Sequence, residues 1–295
     1  MSLPVNKVST ADLVASARGW HMRHATPIFD DPYAKKLCGP VLGLALRFRP
    51  FEWLLFKVAL APLMPVSMCV VMRARYAEQG LGRAVEEGVR QYVILGAGMD
   101  SFAFRRPDLL DVINAFEVDH PVTQQKKLDR VAKTKLPVPA NHHFIAADLS
   151  VVSTVEALAG TAFDMSRPTF LSLLGVVYYL TPETLAETAR SISQGLRPGT
   201  RLVIDYLLDE ESCDPATQPL RERLVKFVEG RGEPMRSSYS LAEMNALMAD
   251  SGFKPVENFA ITDLEASYRE EFGDLTFEIP GLFGFGTFEV VGESD

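Results

Sequence analysis

Short apolar runs rich in β-branched residues recur along the chain, separated by stretches with helical spacing. Tyr92–Leu95, Asp111–Val118, His142–Ala146, Pro168–Leu173 and Arg201–Tyr206 each read as a strand,. The continuous apolar character of Pro168–Leu173 predicts burial on both faces. Between the strands, Val122–Lys135, Val151–Gly160 and Glu183–Gly195 read as helices, the last opened by Thr181 as N-cap with Pro182 behind it,. Pro219–Glu229 and Ser240–Asp250 are further helices. Strand six is expected within Gly252–Thr262, then a short helix near Asp263–Tyr268. In the last strand, Phe283–Val290, aromatics alternate with Gly284 and Gly286. Strands alternating with helices predict an α/β fold with a largely parallel sheet.

The first 88 residues have another texture. Residues 1–12 read as an arm, Leu13–Arg23 and Tyr33–Cys38 as helices, and Val66–Gly88 as a long helix,. Between them, Gly39–Pro65 carries Leu44, Leu46, Phe48, Phe51, Trp53, Leu54, Leu55 and Phe56, more apolar surface than a plain loop displays,. A helical cap on the core and a lid over an apolar substrate are both consistent with it, as is a partner surface. Phe51–Met72 is the stretch closest to a membrane span, but Glu52, Lys57, Pro62 and Pro65 interrupt it, short of the roughly 20 apolar residues a span needs,. The organisation expected is an arm and cap over 1–88, and a core over 89–295 with an insertion at about 207–239.

The chemistry concentrates after the first strand. Tyr92-Val93-Ile94-Leu95 runs into Gly96-Ala97-Gly98-Met99-Asp100, and the second strand carries Glu117 and Asp119 near its end. Glycines let backbone turn sharply and approach a ligand closely. A carboxylate roughly twenty residues on accepts hydrogen bonds from ribose hydroxyls. The third glycine of a dinucleotide fingerprint is missing, and Asp100 repels a pyrophosphate at that position,. A ligand with a ribose and an ammonium but no phosphate suits this charge pattern, and S-adenosylmethionine (SAM) is such a ligand.

The residues Tyr92 to Arg105, followed by Phe116-Glu117-Val118-Asp119-His120-Pro121-Val122-Thr123-Gln124-Gln125-Lys126, resemble the leucine carboxyl methyltransferase-like family of SAM-dependent O-methyltransferases, which includes polyketide carboxyl methyltransferases. Ala17-Arg18-Gly19 and Phe29-Asp30-Asp31-Pro32-Tyr33-Ala34 resemble its N-terminal pattern. The resemblance implies a Rossmann-like sheet of about seven strands with an antiparallel last strand, an N-terminal helical cap and a helical insertion after strand five. It implies cofactor contacts from Arg73 (Arg75 second) to the methionine carboxylate, from Gly96, Ala97, Gly98 and Asp100 in the loop, and from Asp119 to the ribose. Asp148 and Leu149 are implied at the adenine. Asp148 as the cap of the next helix is the competing reading. Two positions depart from the pattern. Leu174, counted with the cofactor-binding positions, stands where the family commonly has Glu, and His21 lies near a usual acidic position.

Composition narrows the partners. A formal net charge of −8 argues against generic binding to nucleic acid or to an anionic membrane,. Cys38, Cys69 and Cys213 are scattered and suggest neither a disulfide frame nor a zinc site; His142 and His143 alternate faces, so no metal is expected,. Met1–Asp12 lacks an apolar leader core, so a cytoplasmic location is the expectation. A small-molecule substrate is expected, with a protein C-terminus also open, since the founding relatives modify one; a monomer or homodimer is expected. Tyr178 and Tyr206 (with Tyr179) are candidates to orient the acceptor, and His24 or His21 to serve as base if it is a hydroxyl. Arg231 and Arg236 are candidates for an anionic substrate group. The leading expectation is O-methyl transfer to a small or mid-sized, largely apolar acceptor, a carboxylate preferred. A phenol or other hydroxyl, a SAM-binding protein without transferase activity, and a nicotinamide oxidoreductase are the alternatives.

Overall fold

The computed structural model describes residues 8–273, 275 and 278–292, so residues 1–7 of the expected arm lie outside the described residues. Residues 10–12 are already helical. The cap comprises α1 (Thr10–His21), α2 (Ala34–Leu37), α3 (Pro40–Ala45) and α4 (Arg49–Glu52), followed by a π-helical run Trp53–Ala59 and a tight turn Ala61–Leu63. The long helix α5 (Met64–Glu86) leads into the sheet.

The core runs β1 (Gln91–Leu95), α6 (Phe102–Arg105), α7 (Pro107–Leu110), β2 (Asn114–Asp119), α8 (Pro121–Thr134), β3 (His142–Ala146), α9 (Thr154–Leu158), β4 (Phe170–Leu173), α10 (Pro182–Gly195), β5 (Arg201–Leu207), α11 (Gln218–Glu229), α12 (Leu241–Asp250), β6 (Phe253–Ala260), α13 (Leu264–Phe272) and β7 (Phe283–Val290). The strand order is β3-β2-β1-β4-β5-β7-β6. Strands β1 to β5 pair in parallel, and β7 inserts antiparallel between β5 and β6. The Rossmann-like sheet of seven strands, the antiparallel last strand, the helical cap and the helical insertion α11 after strand five are therefore as expected. The order reverses between β1 and β4, and ligands of open α/β sheets bind outside the strand ends at such a switch point.

Local chemistry explains where the elements stop. Thr181 Oγ1 accepts from Thr184 N at 3.3 Å, with Pro182 in the first turn of α10,. Strand β2 begins at Asn114, later than the expected Asp111. Pro107 nucleates a helical turn, and Leu109, Leu110 and Ile113 are buried beneath it before pairing starts. Helix α9 is shorter than expected because Ser153 caps it, in a capping box with Glu156,. Pro255 sits at an irregularity of β6, an outer strand, where a missing N–H is tolerated,.

Among the described residues no single helix is long and apolar enough to cross a membrane. The bent pair Arg49–Ala59 and Ala61–Glu86, at 67°, meets the criterion only jointly. Helix α5 buries Met68–Arg73, Tyr76, Ala77, Leu81 and Ala84 in the protein core.

Candidate functional site

The end of β1 turns through Gly96 and Gly98, both in the left-handed region (φ 66° and 53°) that glycine adopts without strain,. A Cβ on Gly96 would stand 2.7 Å from Val176 Cγ2. A cavity of about 410 Å³ lies over this turn. Arg73, Gly96, Ala97, Gly98, Asp100, Asp119, Asp148, Leu149 and Leu174 all line it. The structure thus brings together every residue singled out for the cofactor. Arg18, Gly175 and Glu233 also line it, none of them on that list.

Its electrostatics are set residue by residue. Asp119 accepts from Gly98 N through Oδ2 and from His120 N through Oδ1 at 2.6 Å. Burial pushes its pKa up against those hydrogen bonds,. Burial alone would also raise Asp100, but Arg18, Arg105 and Lys127 together with the Phe102 N–H outweigh it and hold its carboxyl below the usual range. Asp148 accepts from Ser150 N at 3.0 Å and Ser150 Oγ at 2.6 Å. The competing reading of Asp148 as a helix cap fails, because Ser153 takes that role.

Arg73 enters from α5 with its guanidinium buried. Nη1 donates to Asp205 Oδ2 at 3.0 Å and to the Tyr178 hydroxyl at 3.1 Å. Burial opposes its charge, and Asp205 and Tyr178 more than reverse that, so its pKa rises. Gly175 (φ 74°) lies directly against it: a Cβ there would stand 2.5 Å from Nη2. Gly175 N donates to Asp205 Oδ1 at 2.5 Å. In the sheet, Leu173, the last residue of β4, pairs with Ile204, so Leu174 just past the strand end and Asp205 on β5 each follow a paired residue. Asp205 therefore places a carboxylate beside Leu174, the position where the resemblance leads one to expect Glu. Arg75, the second choice, points elsewhere, to Ile28 O at 2.9 Å and to Glu271.

The cap is tied down by ions. Arg18 Nε donates to Asp31 Oδ2 at 2.8 Å and Arg18 Nη2 to Met99 O at 2.7 Å. Ser101 Oγ donates to the same Asp31 oxygen at 2.7 Å, and Arg105 bridges Ser101 and Glu78. On the other side, Asp12 meets Lys126 at 2.8 Å and Arg130 at 2.5 Å.

A second cavity, about 120 Å³, lies between the cap and the insertion. Its walls include Leu13, Phe56, Leu60, Leu224, Phe227 and Phe283, and it shares Thr10, Val14, Val70, Arg73, Tyr178 and Tyr179 with the first. Among the described residues, Arg73 is the one charged residue in its lining. Burial pushes the Tyr178 phenol up to about 12, even with Arg73 beside it.

Several residues expected to serve the acceptor lie away from both cavities. Tyr206 lines neither cavity; its ring crosses Gly284, and its hydroxyl donates to Asn258 Oδ1 at 2.6 Å. His24 lines neither cavity and packs edge-on to Trp20, ring centroids 4.7 Å apart. His21 is buried, with Nε2 accepting from Ile28 N at 2.9 Å. Arg231 packs on the Phe227 ring, and neither it nor Arg236 lines a cavity.

The leucine carboxyl methyltransferase family model matches residues 11–193. "Putative S-adenosyl-L-methionine-dependent methyltransferase YktD" of Bacillus subtilis (strain 168) is 33% identical over 290 residues, 90% of this chain and 94% of that one. A "Putative S-adenosyl-L-methionine-dependent methyltransferase" of Mycobacterium marinum (strain ATCC BAA-535 / M) is 30% identical over 226 residues, 73% of this chain and 67% of its own length. Among solved structures, a duf574 family protein from Streptomyces avermitilis ma-4680 superposes with a TM-score of 0.62, covering 94% of this chain and 97% of that one at 15% identity, a likeness of fold. The chain belongs to the leucine carboxyl methyltransferase family and is a SAM-dependent methyltransferase.

Proposed function

We propose that the chain methylates an oxygen of a small or mid-sized, largely apolar acceptor, and that this oxygen belongs to a carboxylate. One observation carries the choice: among the described residues, the lining of the apolar cavity contains no His, Asp, Glu or Lys. A hydroxyl acceptor needs a base beside it. A carboxylate is already ionised at neutral pH and needs none. The Cys69 thiol and the Tyr178 phenol do line the cavity, but burial raises both pKa values, so neither serves as a base near neutrality.

The larger cavity fits SAM in donor type and charge. Asp119 would take the ribose hydroxyls, Asp148 and Leu149 the adenine, and Arg73 the methionine carboxylate through the planar fork suited to it. When bound, SAM supplies a methyl group activated by a sulfonium. The chain's own residues then bind, align and keep out water. Apolar walls favour neutralisation of charge along the transfer. Tyr178, shared by both cavities and hydrogen-bonded to Arg73, is the candidate to orient the acceptor. Asp205 supports the active over the binding-only reading, because it supplies an anion beside Leu174.

The test uses SAM carrying a tritiated methyl and matched pairs of apolar carboxylic acids and phenols. A methyl ester releases labelled methanol in mild alkali, whereas a methyl ether does not. Alkali-labile product is expected. Alkali-stable product would assign the acceptor to a hydroxyl, and SAM binding without transfer to either class would favour the inactive reading.

A further inference from the structure

Residues 41–58 of the cap turn large apolar side chains to solvent. Val41 and Leu44 on α3, Phe48 before α4, Phe51 on α4, and Trp53, Leu54 and Val58 of the π-helical run are all exposed, Trp53 at 61% and Phe51 at 54%. Phe48 and Phe51 touch edge-to-face, ring centroids 6.4 Å apart. The opposite side of the same run is buried: Leu42, Ala45, Leu46, Leu55, Phe56 and Leu60 form a core with α1. Burial of the cap's inner side therefore does not explain the outer one, and a patch of this kind on a monomer marks an interaction site.

Charge identifies the partner. Exposed Lys35, Lys36, Arg47, Arg49 and Lys57 flank these side chains in the chain, Arg47 over the Phe48 ring, and Glu52 is the sole acidic residue of segment 35–58. The segment is thus at +4 on a chain whose formal net charge is −8. Apolar residues with an aromatic among them, ringed by Lys and Arg, match the interface of an anionic bilayer. A second copy fits poorly, because it would bring two cationic faces together. The strongly acidic remainder would be held away from anionic lipid, so the same asymmetry sets the orientation.

We propose that the face built from α3, α4 and Trp53–Ala59 docks peripherally on an anionic lipid bilayer. The segment that presents Trp53, Leu54 and Val58 outward sends Phe56 and Leu60 into the apolar cavity. Docking then sets a cavity wall against the bilayer, from which a lipophilic acceptor can be drawn; this corollary rests on the proposed function.

The experiment is co-sedimentation of the full chain with vesicles of phosphatidylcholine alone or with about 30% phosphatidylglycerol. Binding to the anionic vesicles is expected, weakening with salt, with a blue shift of tryptophan emission that Trp53→Phe removes. Phe51→Ser/Trp53→Ser and Arg47→Glu/Arg49→Glu should each weaken partitioning about tenfold or more while circular dichroism stays unchanged. No partitioning of the folded chain, equal binding to both vesicles, or binding indifferent to these substitutions would overturn the proposal. So would a dimer, seen in sedimentation velocity, that Phe51→Ser/Trp53→Ser dissolves in a chain indifferent to vesicles. The measurement needs neither SAM nor acceptor, so its failure leaves the methyl-transfer reading standing, and the reverse also holds.

Discussion

The pair formed by Arg73 and Asp205 offers the sharpest test of the site. The ions are 3.0 Å apart, with side chains 10% and 2% exposed. Breaking a buried pair by removing one partner leaves an uncompensated charge and costs about 3–5 kcal/mol. Replacing both partners with apolar residues of similar size is often close to neutral. Arg73→Met and Asp205→Leu are therefore each expected to destabilise by about 3–4 kcal/mol. At about 2–3 °C per kcal/mol, melting falls by about 6–12 °C. The double variant should recover most of that, a coupling of several kcal/mol. Cofactor binding separates the two residues. Arg73→Met and the double variant lose a charge-assisted contact, about 1.5–3 kcal/mol or roughly tenfold to a hundredfold in affinity for S-adenosylhomocysteine by calorimetry. In Asp205→Asn the unpaired Arg73 gains most from the ligand's carboxylate. Saturating S-adenosylhomocysteine should then raise its melting temperature more than it raises that of the unsubstituted chain. Additive losses in the double variant would refute the coupling. Undiminished ligand affinity in Arg73→Met would refute its role as the carboxylate anchor.

Other perturbations act on neighbouring parts. Gly175→Ala, at φ 74° and with its Cβ 2.5 Å from Arg73 Nη2, should push the guanidinium aside and weaken ligand binding about tenfold in the same calorimetry,. Asp119→Ala removes the acceptor expected to face the ribose and should cost about 1–2 kcal/mol of binding while leaving the α/β circular dichroism intact. His21 is held neutral: burial first, then His24, lowers its pKa from 6.5 to about 4. The unfolded chain binds the extra proton between those values, so the stability contribution is complete above pH 6.5 and is lost as pH falls towards 4, at about 1.4 kcal/mol per unit. His21→Gln should flatten that part of the denaturant-derived stability profile, and an unchanged slope would count against this assignment.

What could be read from the chain follows from which forces are local. Buried strands, the glycine turn and the Thr181-Pro182 cap are determined by residues within a few positions, and each appears as expected. β2 starts at Asn114 and not at Asp111 because Pro107 commits the chain to a helical turn, whose apolar residues mimic a strand. Asp205 is hard to read from sequence because it sits inside an apolar run and its partner, Arg73, is more than a hundred residues away. A usable signal was present: side chains alternate along a strand. Asp205 and Tyr206 therefore point to opposite faces of the sheet, and a buried acid needs a polar or charged partner, which Arg73 supplies,. Tyr206 instead fills the space left by Gly284, and the Phe288 ring lies against Gly286, so each glycine of β7 leaves room for an aromatic. Arg18 was visible as part of a pattern, but its contact with Met99 O depends on how the cap folds over the glycine turn.

The division of labour between cap and sheet follows from the same contacts. Around the glycine turn the cap is fastened by directional ionic bonds, through Asp31 on one side and Asp12 on the other. Towards the insertion its contacts with the cavity walls are apolar, through Leu13, Phe56 and Leu60. Ion pairs and charge-assisted hydrogen bonds define a geometry closely, whereas apolar packing tolerates a change of shape at small cost. A methyl transfer needs the donor side held rigidly in line and the acceptor side able to accommodate a bulky apolar body. The larger cavity is lined by Arg18, Arg73 and Asp100, and the smaller one, among the described residues, by Arg73 alone of the charged groups, a distribution that suits the proposed function.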